Sequence, residues 1–145
     1  MKTLLLLLLP LYLMAQTLHV GDRVSPVTLL SQHDKEFTLV QNGIWVITWE
    51  KTGTSTANKF FQKEAPHKNV QLIVDLSQAP SGILSLFIMP NMRRYSHPIL
   101  LSFDEAYNRT LPYKEGFITV LYIQNKVIQK IKFVQTQEQL KKALE

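Results

Sequence analysis

The chain has 145 residues and a formal net charge of +5, and it contains no cysteine. Without cysteine it can supply neither a disulfide nor a thiol nucleophile, so its stability must come from packing, for which an apolar content of 46% is sufficient. The positive charge is small and scattered, with no basic run interleaved with aromatics, which argues against a nucleic-acid partner.

The first fifteen residues have the parts of a signal peptide. Lys2 precedes an apolar stretch at 4–14, and the small residue Ala15 stands where a peptidase could cut. The stretch is shorter than the roughly 20 apolar residues of a membrane span, although Leu13 is unusual so close to the cut and leaves an uncleaved anchor as the alternative. We therefore expect residues 1–15 to be removed and residues 18–145 to form one exported, periplasmic domain without stable membrane insertion.

The first half of that domain predicts a hairpin followed by a strand–helix–strand unit. Apolar runs at 27–30 and 37–40 flank a polar loop, and the continuous β-branched and aromatic run at 44–49 is typical of a strand buried on both faces. Candidate N-caps then open a helix that would continue to about Ala65, and residues 70–76 predict a second buried strand. These N-cap candidates are Thr54, Ser55 and Thr56.

The second half predicts a short helix, a strand, a hairpin and a final helix. The short helix would open at Ser81 and close at Pro90, and the apolar run at 99–103 follows it. Two strands at 118–124 and 127–134 are joined by only two residues, which is the spacing of a tight hairpin. The last helix would begin with a capping box formed by Thr136 and Gln139.

This order of elements defines the fold class. A strand–helix–strand unit requires a parallel pair with a right-handed crossover, whereas the closing hairpin is antiparallel. We therefore predict an α/β domain with a mixed β-sheet flanked by helices and an N-terminal β-hairpin.

Three short segments carry a resemblance to a known family. They are Val-Gly-Asp-Arg-Val-Ser-Pro-Val at 20–27, Gly-Thr-Ser-Thr-Ala at 53–57 and Ala-Pro-Ser-Gly at 79–82, with a weaker match at 116–126. With them, the chain resembles the thioredoxin-like fold over most of residues 18–144, and more narrowly the YtfJ family of exported bacterial proteins. The resemblance implies a thioredoxin-like mixed sheet and no particular activity.

The resemblance also implies which parts of a redox site are missing. Redox members of the superfamily carry cysteine at the start of the helix after the first central strand, where this chain has hydroxyl side chains at 52–56. They also carry a cis-proline before the facing strand, where Ile118 stands here and an ordinary trans peptide is expected. The interpretation is a protein without redox function, without enzymatic activity and without a cofactor.

Gly53, Thr54, Ser55 and Thr56 are the candidate ligand-binding residues. Consecutive backbone N–H groups, the positive end of a helix and several hydroxyls together suit a carboxylate, a phosphate or a peptide carbonyl. The ordinary alternative is helix capping, for which these residue types are preferred in any case. The predicted function is a non-catalytic binding or accessory module whose partner is an unknown protein, peptide or small anion in the cell envelope.

Two other functions stay open as alternatives. A hydrolase would use Thr54 or Ser55 as the nucleophile with a histidine, but the chain has no Gly-x-Ser-x-Gly elbow. A periplasmic metal-binding protein would offer Met89 and Met92 with His97 to Cu(I). The four histidines are spread along the chain without the spacing of a zinc site: His19, His33, His67 and His97.

Overall fold

The computed structural model describes residues 16–145, so the predicted signal peptide at 1–15 lies outside the described residues. Within the described range, no helix has the length and apolar character needed to cross a membrane. The strands are β1 (Thr28–Ser31), β2 (Glu36–Thr38), β3 (Gly43–Thr48), β4 (Val70–Asp75), β5 (Ile99–Ser102), β6 (Ile118–Gln124) and β7 (Val127–Val134).

All seven strands form one mixed sheet in the order β2-β1-β5-β4-β3-β6-β7. The three central strands β3, β4 and β5 are parallel, while the outer pairs β1–β2, β1–β5, β3–β6 and β6–β7 are antiparallel. The predicted α/β class with a mixed sheet and an N-terminal hairpin is confirmed. Because parallel strands share a direction, their carboxyl ends meet at one edge, which is where open α/β sheets form their binding crevices.

The helices cover mainly one face of this sheet. They are α1 (Lys51–Lys63), α2 (Ser81–Ile83), a π-helical turn (Leu84–Ile88), α3 (Met89–Met92), α4 (Glu105–Asn108) and α5 (Gln137–Ala143). Phe60 and Phe61 of α1 and Leu140 of α5 pack with Val46 and Leu72 into the core on that face. The opposite face is a second core around Trp45 and Leu121, closed by Leu39, Leu111 and other side chains from connecting segments.

The turn between β6 and β7 and the N-cap of α5 have the structures predicted from the sequence. Asn125 and Lys126 have φ angles of 51° and 68° and join β6 to β7, as a two-residue hairpin with two positive φ values requires. The Thr136 side chain accepts a hydrogen bond from the Gln139 N–H, while the Gln139 side chain accepts from the Thr136 N–H. The predicted hairpin and capping box are therefore confirmed.

The start of α1 differs from the prediction. The helix begins at Lys51 with Glu50 as the N-cap, so the predicted caps at 54–56 lie inside it. Glu50 has the extended backbone of an N-cap, with φ −128° and ψ 159°, but its side chain makes no capping hydrogen bond. The helix therefore starts directly after the central strand, because only Trp49 and Glu50 separate Thr48 from Lys51.

Pro90 does not end its helix as predicted. The helical path continues to Met92, because the turn before the proline is a π-helical one in which the Met89 N–H donates to the Leu84 carbonyl, five residues back. Proline clashes with the carbonyl four residues earlier in a regular α-helix, and a wider turn relieves that clash. The segment at 81–92 is consequently one bent helical unit.

Candidate functional site

A cleft of about 660 Å³ opens at the carboxyl ends of the three parallel strands. Its size falls in the range of small-molecule sites, about 300–1,000 Å³. Residues from four separate parts of the chain meet there, including Trp49, Glu50, Asp75, Glu105, Asn108 and Tyr113. Glu50 is also the N-cap of α1, so that helix begins at the residue next to the lining of the cleft.

A buried hydrogen-bond network fixes the floor of the cleft. The Asn108 side-chain amide donates to the Asp75 carboxylate at 2.7 Å, and the Ser102 hydroxyl donates to the Asn108 side-chain oxygen. Asp75 also accepts from the backbone N–H and the hydroxyl of Ser77, at 2.9 and 2.6 Å. The network ties the ends of β4 and β5 to α4 and so sets the position of the Glu105–Arg109 ion pair at the surface.

Two aromatic side chains form one wall of the cleft. The rings of Trp49 and Tyr113 meet edge to face with centroids 5.2 Å apart, and the Trp49 indole N–H donates to the Thr119 hydroxyl at 3.0 Å. Desolvation raises the pKa of the Tyr113 hydroxyl, and the negative charges of Glu50 and Glu115 raise it further. This hydroxyl therefore stays protonated and can donate a hydrogen bond at neutral pH.

The four residues singled out from the sequence lie together in the first turns of α1. The Thr54 hydroxyl is 2.8 Å from the Thr48 hydroxyl, and the Thr56 hydroxyl donates to the Thr52 carbonyl at 3.0 Å. A Cβ on Gly53 would approach a side-chain carbon of Ile118 to 3.3 Å, so this glycine allows close packing of α1 against β6. Whether Gly53, Thr54, Ser55 and Thr56 bind a ligand stays a prediction.

The backbone at the start of α1 offers donors that the helix does not use. The first N–H of the helix to find an internal acceptor is that of Thr54, which donates to the Glu50 carbonyl at 2.9 Å. The N–H groups of Lys51, Thr52 and Gly53 precede that bond, and the Glu50 carboxylate accepts from the Gly116 N–H at 3.0 Å instead of capping them. The helix therefore presents its positive end without a side-chain cap.

The histidines and methionines do not assemble with this site. No His is among the residues lining the cleft, and His97, in the segment before β5, is buried at 5% exposure against α1. Met92 is buried and Met89 half-buried in the helix-side core. Within residues 16–145, no cluster of three or more His, Cys, Asp or Glu side chains could hold a metal ion.

The sequence-based site prediction missed the cleft residues. Asp75 and Asn108 are 33 positions apart, and their contact depends on the parallel pairing of β4 with β5. The available signal was that Asp75 and Ser102 each end a strand of a predicted parallel unit, since such ends share one edge of the sheet.

Comparisons with known proteins identify the class of fold. No protein-family model and no curated protein sequence matches the chain. Among solved structures, StoA from Bacillus subtilis is 17% identical with a TM-score of 0.58, covering 86% of this chain and 100% of its own. The thioredoxin domain of a thiol–disulfide oxidoreductase from Bacteroides vulgatus is 10% identical with a TM-score of 0.53, covering 89% and 100%. A peroxiredoxin-like protein from Aquifex aeolicus is 13% identical with a TM-score of 0.52, covering 86% and 81%.

The chain therefore has a thioredoxin-like fold without cysteine. The trans peptide expected before Ile118 is also confirmed, since residues 16–145 contain no cis peptide bond. The thiol–disulfide oxidoreductase and a thio-disulfide isomerase from Thermus thermophilus are redox enzymes by name, whereas this chain contains no cysteine.

The function predicted from the sequence is corrected by these neighbours. The prediction of a non-catalytic binding or accessory module for a peptide or small anion is wrong, because solved structures that share this architecture are named as a thiol–disulfide oxidoreductase, a thio-disulfide isomerase and a peroxiredoxin-like protein. The hydrolase alternative with Thr54 or Ser55 and the metal-binding alternative find no support among them. The prediction rested on the hydroxyl side chains at 52–56 and on the absence of cysteine.

Proposed function

We propose that this protein takes part in thiol–disulfide redox chemistry, acting on sulfur that a second molecule brings to it. The observation that carries the proposal is the uncapped start of α1 at the rim of the cleft, in a chain whose fold neighbours include thiol–disulfide oxidoreductases. Because the chain has no cysteine, both the attacking thiol and the disulfide must be supplied by other molecules.

The proposed step is an exchange at a bound disulfide. The thiolate of a small reductant attacks one sulfur, a new sulfur–sulfur bond forms, the original bond breaks, and the second sulfur leaves as a thiolate that solvent later protonates. The N–H groups of Lys51, Thr52 and Gly53 stabilise the leaving thiolate, since a helix N-terminus favours negative charge. A lower pKa of the leaving thiol makes its departure faster.

The aromatic wall has a matching role in binding. Trp49 and Tyr113 present ring surface to the cleft, and divalent sulfur makes favourable contacts with aromatic rings. The indole N–H is held by Thr119, so the Trp49 ring is fixed before a ligand arrives. A disulfide with short aliphatic arms would pack against these rings with one sulfur directed at the start of α1.

An exchange assay tests this function. The purified protein should accelerate the reaction of reduced glutathione with hydroxyethyl disulfide roughly fivefold to thirtyfold over buffer, because a helix N-terminus stabilises a nearby anion by about 1–2 kcal/mol. The substitution Lys51→Pro should remove at least about half of that acceleration by deleting one donor. Proline is suited to this position, since it is the first of the helix and the preceding Glu50 is already extended.

The matched control is Lys51→Ala, which removes the same charged side chain and keeps the N–H. It should retain the acceleration of the unaltered protein. A protein that gives the buffer rate, or two variants that lose activity equally, would contradict the proposed role of the α1 N–H groups.

We further propose that this reaction takes place in the periplasm, after removal of residues 1–15, and that the chain is a member of the YtfJ family. The support is the signal-peptide pattern and the segments at 20–27, 53–57 and 79–82.

A further inference from the structure

His97 lies in a buried polar cluster and is not among the residues that line the cleft. Its ring Nε2 is 2.8 Å from the Asn58 side-chain oxygen on α1. Since that oxygen can only accept, Nε2 carries the hydrogen and Nδ1 is left with a lone pair. Nδ1 is buried and has no hydrogen-bond partner among residues 16–145.

The ring is enclosed mainly by aromatic side chains. Its centroid lies 5.9 Å from that of Phe61 on α1 and 5.2 Å from that of Tyr95 on its own segment. Burial lowers the pKa of His97 from its usual value of 6.5, since the charged form loses its hydration. Protonation at Nδ1 would create a buried N–H without an acceptor, which is among the costly defects of a folded protein.

The segment at 93–97 is held on its other side by the β1–β2 turn. The Gln32 side chain donates to the His97 carbonyl and accepts from the Ile99 N–H, both at 2.8 Å. The other charged or titratable side chains of the cluster bond to backbone and not to the imidazole: His33 donates to the Tyr95 carbonyl, and Arg93 donates to the Gln32 carbonyl. No acidic side chain hydrogen-bonds to the ring to offset a positive charge.

We propose that His97 is an acid-sensitive switch that locks the segment at 93–97 onto α1 when neutral and releases it when protonated. The switch is a property of this cluster and does not depend on the proposed thiol chemistry. In the released state, the imidazolium reaches water and the bond to Asn58 is broken. The open form binds the proton more tightly than the closed form, so acidification favours opening.

The direction and size of the effect follow from proton linkage. Above pH 6.5, the usual pKa of the exposed ring, both forms are neutral and the opening constant has its lowest value. Below it, one proton is taken up on opening, so the opening constant rises roughly tenfold per pH unit until the lowered pKa of the closed form is reached. Below that pKa the dependence disappears, because both forms are protonated.

Amide hydrogen exchange measures this opening directly. After correction for the intrinsic rate, protection of the Ile99 N–H, which donates to Gln32, should fall roughly tenfold per pH unit just below pH 6.5. The core amide of Val46 should keep its protection over the same range. His97→Gln should remove the pH dependence at Ile99, because glutamine can still donate to Asn58 but does not titrate in this range.

His33→Gln is the matched control, since His33 contacts the same segment through the Tyr95 carbonyl. This variant should keep the pH dependence. Protection that does not change with pH, or a dependence abolished by His33→Gln and kept by His97→Gln, would overturn the proposal. If His97→Gln does not fold, an NMR titration of the unaltered protein decides: a His97 pKa at or above 6.5 overturns it.

Discussion

Replacing Trp45 by alanine should lower the free energy of unfolding by about 3–5 kcal/mol. The side chain is 1% exposed in the central strand β3 and lies in the core on the face opposite α1. Its indole N–H donates to the Val40 carbonyl at 2.8 Å, so truncation opens a large cavity and leaves that carbonyl without its partner. Chemical denaturation followed by circular dichroism measures the loss.

Trp49→Ala is the matched control for this prediction. Trp49 follows the last residue of β3 and packs against the same core, but it is only half-buried, because it forms the wall of the cleft. Its truncation should cost no more than about half as much stability, since less surface returns to water and no closed cavity forms. Equal losses for the two variants would contradict the assignment of Trp45 to the core and Trp49 to the site.

Gly43→Ala should destabilise the protein by about 3 kcal/mol or more. Gly43 begins β3 with φ +155°, and a Cβ there would lie 2.1 Å from the Asn69 carbonyl oxygen and 2.9 Å from a methyl carbon of Val40. That carbonyl also accepts from the Ile44 N–H at 2.9 Å, so the turn before β4 cannot move away without losing a hydrogen bond. Thermal or chemical unfolding measures the effect.

Gly116→Ala separates steric overlap from backbone strain. Gly116 has φ +79°. A Cβ added there would have the Gln135 side chain as its nearest neighbour, at 4.0 Å. This variant should lose only the roughly 1–2 kcal/mol that a left-handed conformation costs a residue with a side chain. If Gly43→Ala lowers the free energy of unfolding by no more than Gly116→Ala does, the Asn69 carbonyl can move aside and the predicted steric overlap is contradicted.

The elements whose signals are local were predictable from the sequence. Asn125 and Lys126 form the hairpin turn because they lie between two apolar runs with room for only two residues. Thr136 and Gln139 form the capping box because both members are fixed by their spacing in the chain. The order of strands and helices then restricts the topology, because crossovers between parallel strands have one hand.

The start of α1 shows where local preference fails. Hydroxyl side chains at 54–56 are good N-caps, but the backbone is extended at Glu50 and turns helical at Lys51. The sheet sets the start of the helix, because β3 ends at Thr48 and α1 must pack against the sheet after only two connecting residues. Capping preferences of about 1 kcal/mol do not outweigh that packing.

The cleft could not be predicted because its chemistry is assembled by the topology. Trp49, Asp75 and the pair Asn108 and Tyr113 come from three parts of the chain, after β3, at the end of β4 and after β5, and each alone has an ordinary structural explanation. The function was mispredicted for another reason: the prediction was based on the missing cysteine, whereas solved structures that share the fold carry the names of redox proteins.

The most direct test of the proposed chemistry is an NMR titration of the ¹⁵N-labelled protein with hydroxyethyl disulfide. If sulfur binds at the start of α1, the chemical shifts of the Lys51, Thr52 and Gly53 amides and of the Trp49 indole N–H should change. Hexanediol, which has the same length and end groups but no sulfur, should leave these signals unchanged. Equal changes with both compounds, or changes only outside the cleft, would contradict the account.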